Sequence, residues 1–236
     1  MGDLSWSGCD NVRDLGGLPV AGGGSTRERA LVRADSLTRL HGAGVRAARG
    51  YGVVRVVDLR AGTETGARSH PFEADEGYRR VPWIDVDREP ERDPSAERDL
   101  ADLYCGSLDR NVRQVAAAGR AVTTAPAGPV VVHCAAGKDR TGMLVALLLE
   151  TAGVTREAVV ADYAVSSERL VVAERLATLG EEERAAAETY AWSRPETLTT
   201  ALEHLDTAYG GAPAYLRDAC GLSDEELADV RRRLTG

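Results

Sequence analysis

A chain of 236 residues is long enough for one large α/β domain whose core needs no disulfide bonds. Its four cysteines form no CxxC pair, so we expect neither a disulfide framework nor a zinc knuckle. The formal net charge of -8 argues against a broad nucleic-acid-binding face, so an anionic ligand would have to bind at a small local site.

The chain carries no targeting or membrane-spanning pattern. Residues 1–30 are polar and glycine-rich, without a basic start followed by an apolar run. No stretch approaches the roughly 18 apolar residues of a membrane span. We therefore predict a cytoplasmic protein in a reducing setting, although secretion without a signal peptide stays open. Neither a membrane span nor a nucleic-acid partner is expected.

The first half of the chain alternates strand and helix patterns. Residues 53–58 are β-branched and bounded by glycines, which predicts a buried strand that ends at Asp58. Residues 78–84 predict a further strand, residues 85–99 a charged and exposed loop, and residues 108–122 a helix. This alternation favours an α/β fold, with a central, mostly parallel sheet flanked by helices.

A second β-branched run leads directly into a helical pattern. Residues 129–133 predict a buried strand that stops at Cys134, and apolar residues at helical spacing follow from about Arg140 to Ala152. Strand, tight loop and helix in this order point a helix N-terminus at an anion.

From Thr155 onward the pattern is helical throughout. Capping-box spacings at residues 193–196 and 223–226 predict two helix starts, and the glycine pair at 210–211 predicts a helix end. No linker of biased composition separates this half from the first. We therefore predict one domain over residues 1–236, with the C-terminal helices packed on it.

The sequence HCAAGKDRTG at residues 133–142 points to phosphate chemistry. Five residues separate Cys134 from Arg140, enough to curl a loop around one tetrahedral oxyanion with backbone N–H groups pointing inward. The Arg140 guanidinium can hold two phosphoryl oxygens at the start of the following helix. The residues between them that would line this phosphate-binding cradle include Ala135, Ala136, Gly137 and Lys138.

Cys134 would be the nucleophile of such a loop. Cysteines at helix N-termini or beside cationic groups have pKa values lowered to roughly 3.5–7.5, so we expect a thiolate at neutral pH. Its attack on phosphorus gives a phosphocysteine, which water hydrolyses in a second step. Because the N–H groups and Arg140 meet the charge on the equatorial oxygens, we expect neither a metal nor another cofactor.

The pattern HCxxGxxR resembles the signature of the protein tyrosine phosphatase superfamily. The fuller form HCAAGKDRTG resembles the loop of the mycobacterial triple-specificity phosphatases, which act on phosphotyrosine, phosphoserine or phosphothreonine, and phosphoinositides. The resemblance extends to residues 11–17, 57–60, 161–163 and 215–218. It implies a tyrosine-phosphatase-like fold and a phosphomonoesterase of dual specificity.

By that resemblance, Cys134 is the nucleophile, Arg140 binds the phosphoryl group and Asp139 is the general acid. The alternative for Asp139 is an acid at a helix N-terminus that only satisfies the helix dipole. The rivals for the acid role are Asp58, Asp85 and Asp87.

The same resemblance implies supporting roles in substrate binding. Lys138, the single lysine among 29 basic residues, would contact additional charge on the substrate, and the Thr141 hydroxyl would support the thiolate. Asp58 corresponds to an aspartate near the active site. His133 would orient the loop and hold Cys134, and we assign it no metal because no partner has ligand spacing.

Several function classes stay open. The substrate of a phosphatase here would be a phosphotyrosine or phosphoserine protein, a phosphoinositide, or a small phosphorylated intermediate of a biosynthetic pathway. A rhodanese-type sulfurtransferase also uses a loop cysteine, but the full HCxxGxxR pattern argues against it. The intact Cys134 and Arg140 do not favour a catalytically silent phosphate-binding module. The oligomeric state is left open.

Overall fold

A mixed six-stranded sheet forms the centre of the protein in the computed structural model, which describes residues 2–64 and 69–236. The strands are β1 (Gly2–Asp3), β2 (Arg13–Asp14), β3 (Leu31–Ala34), β4 (Arg55–Asp58), β5 (Tyr78–Arg80) and β6 (Val130–His133), and their order across the sheet is β1-β2-β3-β6-β4-β5. The predicted α/β class with a mostly parallel sheet is confirmed.

Strands β3, β6, β4 and β5 run parallel, so their carboxyl ends meet at one edge. The register places Ala34 and Asp58 on either side of His133, the last residue of β6. In open α/β sheets this edge is where ligands bind. The segment after β6 therefore emerges between the ends of its two neighbours.

Helices cover both faces of the sheet. They are α1 (Gly42–Gly50), α2 (Leu100–Arg110), α3 (Val112–Thr123), α4 (Asp139–Thr151), α5 (Arg156–Arg169), α6 (Val172–Ala177), α7 (Glu181–Ala191), α8 (Pro195–Tyr209), α9 (Ala212–Ala214) and α10 (Asp224–Leu234). Within the described ranges, each helix is too short or too polar to cross a membrane.

Successive side chains of β6 point to opposite faces of the sheet and pack in two hydrophobic cores. Val131 packs with α1 on one face, whereas Val130 and Val132 pack with α3 and α4 on the other. Helix α4 is buried on nearly every side, from Thr141 to Leu149. Burial on all sides fixes the helix that follows Cys134 rigidly against the sheet.

Two predicted elements differ from the structure. The strand predicted over residues 78–84 ends at Arg80, although the backbone N–H groups of Val81 and Trp83 still bond to the end of β4 and the residue after it. Pro82 between them has no N–H to donate, so the regular ladder stops. The helix predicted over residues 108–122 is instead two helices, α2 and α3.

The break between α2 and α3 falls at Asn111. Its side-chain amide donates to the Ser107 carbonyl, and its side-chain oxygen accepts the Asp85 backbone N–H. An asparagine that bonds backbone groups in this way competes with the helix ladder. The break thus ties the two helices to the chain after β5.

The capping predictions have mixed outcomes. The capping box at Ser223 and Glu226 is confirmed, and Gly210 ends α8 in the left-handed conformation. The box predicted at residues 193–196 is wrong, because α8 begins at Pro195 after Arg194. The Ser193 hydroxyl bonds to α5 instead.

Candidate active site

The cysteine loop, residues 134–138, joins β6 to α4 at the carboxyl edge of the sheet. Cys134 follows the last residue of β6 and is 2% exposed, whereas the neighbouring Ala135 is exposed. Helix α4 begins at Asp139, so its N-terminus faces the loop. The predicted order of strand, tight loop and helix is present.

The carbonyl groups of the cysteine loop are held from outside. Each carbonyl from position 134 to 137 accepts a hydrogen bond, and the donors are the His133 ring, the Ser36 backbone, the Asn11 amide and the Arg33 guanidinium. A trans peptide unit is planar, with its N–H group opposite its carbonyl. The N–H groups of residues 135–138 therefore turn toward the inner side of the loop, the arrangement of an anion nest.

A buried charged network supports the loop from behind. Arg33 donates to the Gly137 carbonyl at 2.6 Å, and Arg13 donates to the Asn11 side chain. Arg13 binds Asp162 at 2.8 Å, and Arg33 binds it at 2.6 Å. All three side chains are at most 1% exposed. Although burial opposes it, the charges of Arg33 and Arg13 lower the pKa of Asp162. These residues explain why the stretches around positions 11–17 and 161–163 accompany the loop motif.

Gly137 is required by the shape of the loop. Its φ of +66° lies in the left-handed region, and a Cβ there would approach the Ala34 carbonyl oxygen to 2.4 Å. A larger residue would have to push the loop away from β3.

The Arg140 guanidinium is fixed by Glu64, a residue that sequence analysis missed. The carboxylate accepts two hydrogen bonds from it, at 2.6 Å and 2.8 Å. Although burial opposes it, these hydrogen bonds lower the pKa of Glu64. The guanidinium contacts the carboxylate through two parallel N–H groups, and the same pair of N–H groups can bind a phosphate. The sequence signal that could have indicated Glu64 was an acidic residue shortly after the predicted strand at residues 53–58.

Asp139 lies at the rim of the cysteine loop and is partly exposed. Its carboxylate accepts a hydrogen bond from the Tyr104 hydroxyl at 2.6 Å and lies 3.1 Å from the Lys138 ammonium. Burial raises the pKa of Tyr104 well above its ordinary value, so this hydroxyl keeps its proton and donates it. Tyr104 also shares a hydrogen bond with Tyr163. Sequence analysis gave neither tyrosine a role in the site.

Lys138 is placed differently from the expectation. Its side chain is 5% exposed, and its ammonium donates to the backbone carbonyls of Tyr190 and Ala191 at 2.6 Å and 3.1 Å. These carbonyls end helix α7, where a cation is favoured by the helix dipole. The ammonium is thus engaged by helix α7, and its contact with a substrate stays a prediction.

Asp58 is also placed differently from the expectation that it binds substrate. It has no exposed surface, and it accepts hydrogen bonds from the Arg60 guanidinium and the Tyr78 hydroxyl. Although burial opposes it, hydrogen bonds from Arg60 hold the pKa of Asp58 far below its ordinary value. Because this carboxylate is enclosed and its pKa is lowered, Asp139 is better placed than Asp58 to donate a proton, and contact of Asp58 with a substrate stays a prediction.

The other predicted residues give a mixed result. The Thr141 hydroxyl is buried without a hydrogen-bond partner among the described residues, so its support of the thiolate stays a prediction. Asp85 is 3% exposed and accepts the backbone N–H of Asp87, itself an exposed residue. The second oxygen of Asp85 also lacks a partner within residues 2–64 and 69–236. Asp85 therefore remains the stronger of these two rivals to Asp139.

One group of side chains near the loop has the composition of a metal site. The ligand atoms of Asp58, His70 and His133 lie within 4.8 Å of one another, and all three residues are buried. Their atoms are already engaged, because the two Nε2 atoms lie 3.1 Å apart in a hydrogen bond and Arg60 binds Asp58. The group is thus a closed hydrogen-bonded cluster.

Two cavities flank Asp139 and Tyr190. The first, of about 470 Å³, is bordered by Arg140 and by apolar side chains, which include Trp83, Leu100, Leu103 and Met143. The second, of about 480 Å³, lies on the side of α6 and α7, and its lining includes Ala136, Leu170, Leu176 and Leu179. Arg140 thus borders an apolar space.

Comparison with known proteins identifies the class of protein that has this fold and this cysteine loop. The chain belongs to the tyrosine phosphatase family, whose model matches residues 4–236. It is therefore a phosphatase, a hydrolase that acts on phosphorylated substrates.

Two relatives extend over most of the chain. The triple specificity protein phosphatase PtpB of Mycobacterium tuberculosis is 31% identical over 97% of this chain and 98% of its own length. A tyrosine-protein phosphatase of Nostoc commune is 28% identical over 87% of this chain and 74% of its own length. The predicted family is confirmed.

Proposed function

We propose that the protein hydrolyses phosphomonoesters through a phosphocysteine on Cys134. The observation that carries this proposal is the cysteine loop, whose carbonyls are all bonded from outside so that its N–H groups face inward. In this cradle the Cys134 sulfur attacks phosphorus, and the N–H groups and Arg140 meet the charge on the equatorial oxygens. The bond from phosphorus to the leaving oxygen breaks as the sulfur–phosphorus bond forms.

Asp139 is the proposed proton donor to the leaving oxygen. It lies at the rim of the loop, one residue before Arg140, and Tyr104 and Lys138 hold its carboxylate in place. After the alcohol leaves, the same carboxylate accepts a proton from the water that attacks the phosphocysteine. Inorganic phosphate and the free cysteine result.

The proposed substrates are phosphomonoesters of aromatic alcohols, with phosphotyrosine as the biological example. The argument is the apolar cavity beside Arg140, where Trp83 and Met143 can contact an aromatic ring. The name of the Nostoc commune relative, a tyrosine-protein phosphatase, agrees with activity on phosphotyrosine. Lys138, which would favour a phosphoinositide, is instead engaged by helix α7.

A panel of phosphoesters tests the mechanism and the substrate together. We expect Cys134→Ser to abolish turnover while the protein stays folded, because a serine hydroxyl keeps the shape of the side chain but is a far weaker nucleophile than a cysteine sulfur. Cys105→Ser, which changes the same atom in helix α2, is the matched control and keeps its activity. Residual hydrolysis by Cys134→Ser within tenfold of the parent would contradict the nucleophile assignment.

The panel itself contains a phosphotyrosine peptide, a phosphoserine peptide, a phosphoinositide and small sugar phosphates. The expected result is the highest kcat/KM on the phosphotyrosine peptide. A preference for the phosphoinositide or for a small phosphate would replace the aromatic substrate class and leave the mechanism standing. Thiosulfate:cyanide transfer, run in parallel, would instead indicate a sulfurtransferase.

A further inference from the structure

His70 and His133 form a directed hydrogen-bond chain behind the cysteine loop. The Phe72 backbone N–H donates to His70 Nδ1 at 3.2 Å, and His70 Nε2 and His133 Nε2 lie 3.1 Å apart. His133 Nδ1 lies 3.2 Å from the Cys134 carbonyl oxygen. Both histidines are buried, and their rings stack with centroids 5.1 Å apart.

The partners at the two ends of the chain fix its direction. Because a backbone N–H only donates, His70 Nδ1 is an acceptor, and the hydrogen of a neutral ring is then on Nε2. Because a carbonyl only accepts, His133 Nδ1 carries a hydrogen, and its Nε2 is then an acceptor. The middle contact thus runs from His70 Nε2–H to His133 Nε2, and every group has its partner when both rings are neutral.

We infer that His70 is a positioning residue of the phosphatase reaction, because it holds His133 in the one tautomer that bonds the Cys134 carbonyl. That bond orients the peptide unit whose N–H, on Ala135, faces the inner side of the loop. Sequence analysis gave His70 no role, and the inference rests on the proposed function of the cysteine loop.

Asp58 favours the other tautomer of His133, the one that His70 prevents. One of its carboxylate oxygens lies 3.7 Å from His133 Nε2, so without His70 the ring would be drawn to carry its hydrogen there. The Nδ1 lone pair would then face the Cys134 carbonyl and repel it. His70 prevents this change of tautomer, because its Nε2–H donates a hydrogen bond to the lone pair of His133 Nε2.

The surroundings of the pair keep both rings neutral. Burial lowers the pKa of His70 to about 3 and that of His133 to about 4. Among residues 2–64 and 69–236, the charged and titratable groups that face the pair are Asp58, Tyr78, Arg60, Arg80 and Arg140. Since both pKa values are lowered, the neutral chain is intact at neutral pH and is lost only as the pH falls toward these values.

Two substitutions separate positioning from space filling. His70→Phe keeps a ring and removes the donor, whereas His70→Gln keeps an N–H near the position of Nε2. At neutral pH we expect kcat of His70→Phe on an aryl phosphate to fall about tenfold, the effect of one lost hydrogen bond. His70→Gln should stay within about threefold of the parent. His204→Phe, a surface histidine, is the control and keeps its activity.

The pH profile provides the decisive readout. A second proton on His133 restores the Nδ1 hydrogen, so the deficit of His70→Phe should shrink as the pH is lowered from 7.5 toward the His133 pKa of about 4. The Asp58 carboxylate, 3.7 Å from His133 Nε2, would accept the hydrogen bond of that second proton. A deficit that is constant with pH and shared by His70→Gln would overturn the positioning role.

The tautomers can also be observed without turnover. Long-range proton–nitrogen spectra of histidine-labelled Cys134→Ser protein should show hydrogen on Nδ1 of His133 and on Nε2 of His70. Hydrogen on Nε2 of His133 would overturn the inference whatever the substrate is. A failure of the cysteine mechanism would instead appear as turnover by Cys134→Ser, so the two results are distinguishable.

Discussion

The back of the cysteine loop and its rim are held by different kinds of residues. At the back, Asn11, Arg33 and Asp162 are fully buried and bond the loop carbonyls or one another. At the rim, Asp139 and Glu64 are about one-third exposed. In the proposed mechanism, the back sets the shape of the phosphate cradle, whereas the rim contacts the part of the substrate that changes during the reaction. Substitutions at the back should therefore mainly affect folding, and those at the rim mainly the chemistry.

The largest effect is expected at the rim, for Asp139→Asn. An alkoxide that leaves without a proton is costly, whereas a phenoxide with a low pKa needs little help. A positioned acid is worth about 10²–10⁴-fold, so the variant should lose this factor on an alkyl phosphate and far less on an activated aryl phosphate. Single-turnover kinetics on both substrates measure the difference.

The same comparison made with Asp85→Asn is the control for the acid assignment. Equal losses by Asp139→Asn on both substrates, together with leaving-group dependence in Asp85→Asn, would transfer the role to Asp85. Asp139 would then be a residue that caps the helix dipole.

At the back, Asp162→Asn should unfold the protein more readily. It leaves two buried arginines without their counterion, and breaking a buried pair in this way costs about 3–5 kcal/mol. Denaturant titration measures the free energy of unfolding. Asp206→Asn, which removes the exposed partner of Arg156, is the matched control and should cost about 1 kcal/mol or less. Equal losses in the two variants would show that the buried network does not stabilise the fold.

Lys138→Met gives the smallest expected effect and tests the boundary between back and rim. Because the ammonium ends helix α7, its loss should cost about 0.3–1 kcal/mol of stability and slow a simple alkyl phosphate and a phosphoinositide equally. Arg113→Met removes an exposed charge from α3 as a control. A loss confined to the phosphoinositide would instead support the substrate contact that the family resemblance implies.

The predictable parts of the site were those encoded by neighbouring residues. The strand before Cys134, the tight loop and the helix after it lie within one continuous pattern, so local rules placed them. Asn11 and Arg33 bond the loop from 125 to 104 residues away, and nothing in their own surroundings indicates that contact. Glu64 and Tyr104 were missed for the same reason.

Two differences from expectation have causes that only the tertiary structure makes visible. The amide of Asn111 divides a predicted helix because Asp85 and Ser107 offer it partners. The family resemblance implied that Lys138 contacts charge on the substrate. The C-terminus of α7, more than fifty residues away in sequence, engages it instead.

The buried network of Arg13, Arg33 and Asp162 has an unequal count of charges, two positive and one negative. An uncompensated charge in a dry interior is a cost that the empty protein carries continuously. In the proposed mechanism, an oxyanion in the cradle would supply a negative charge from the other side of the loop. Folding and ligand binding would then be thermodynamically linked, and occupancy by phosphate would add to the stability of the native state. A charge imbalance of this kind fits a site built for an anion.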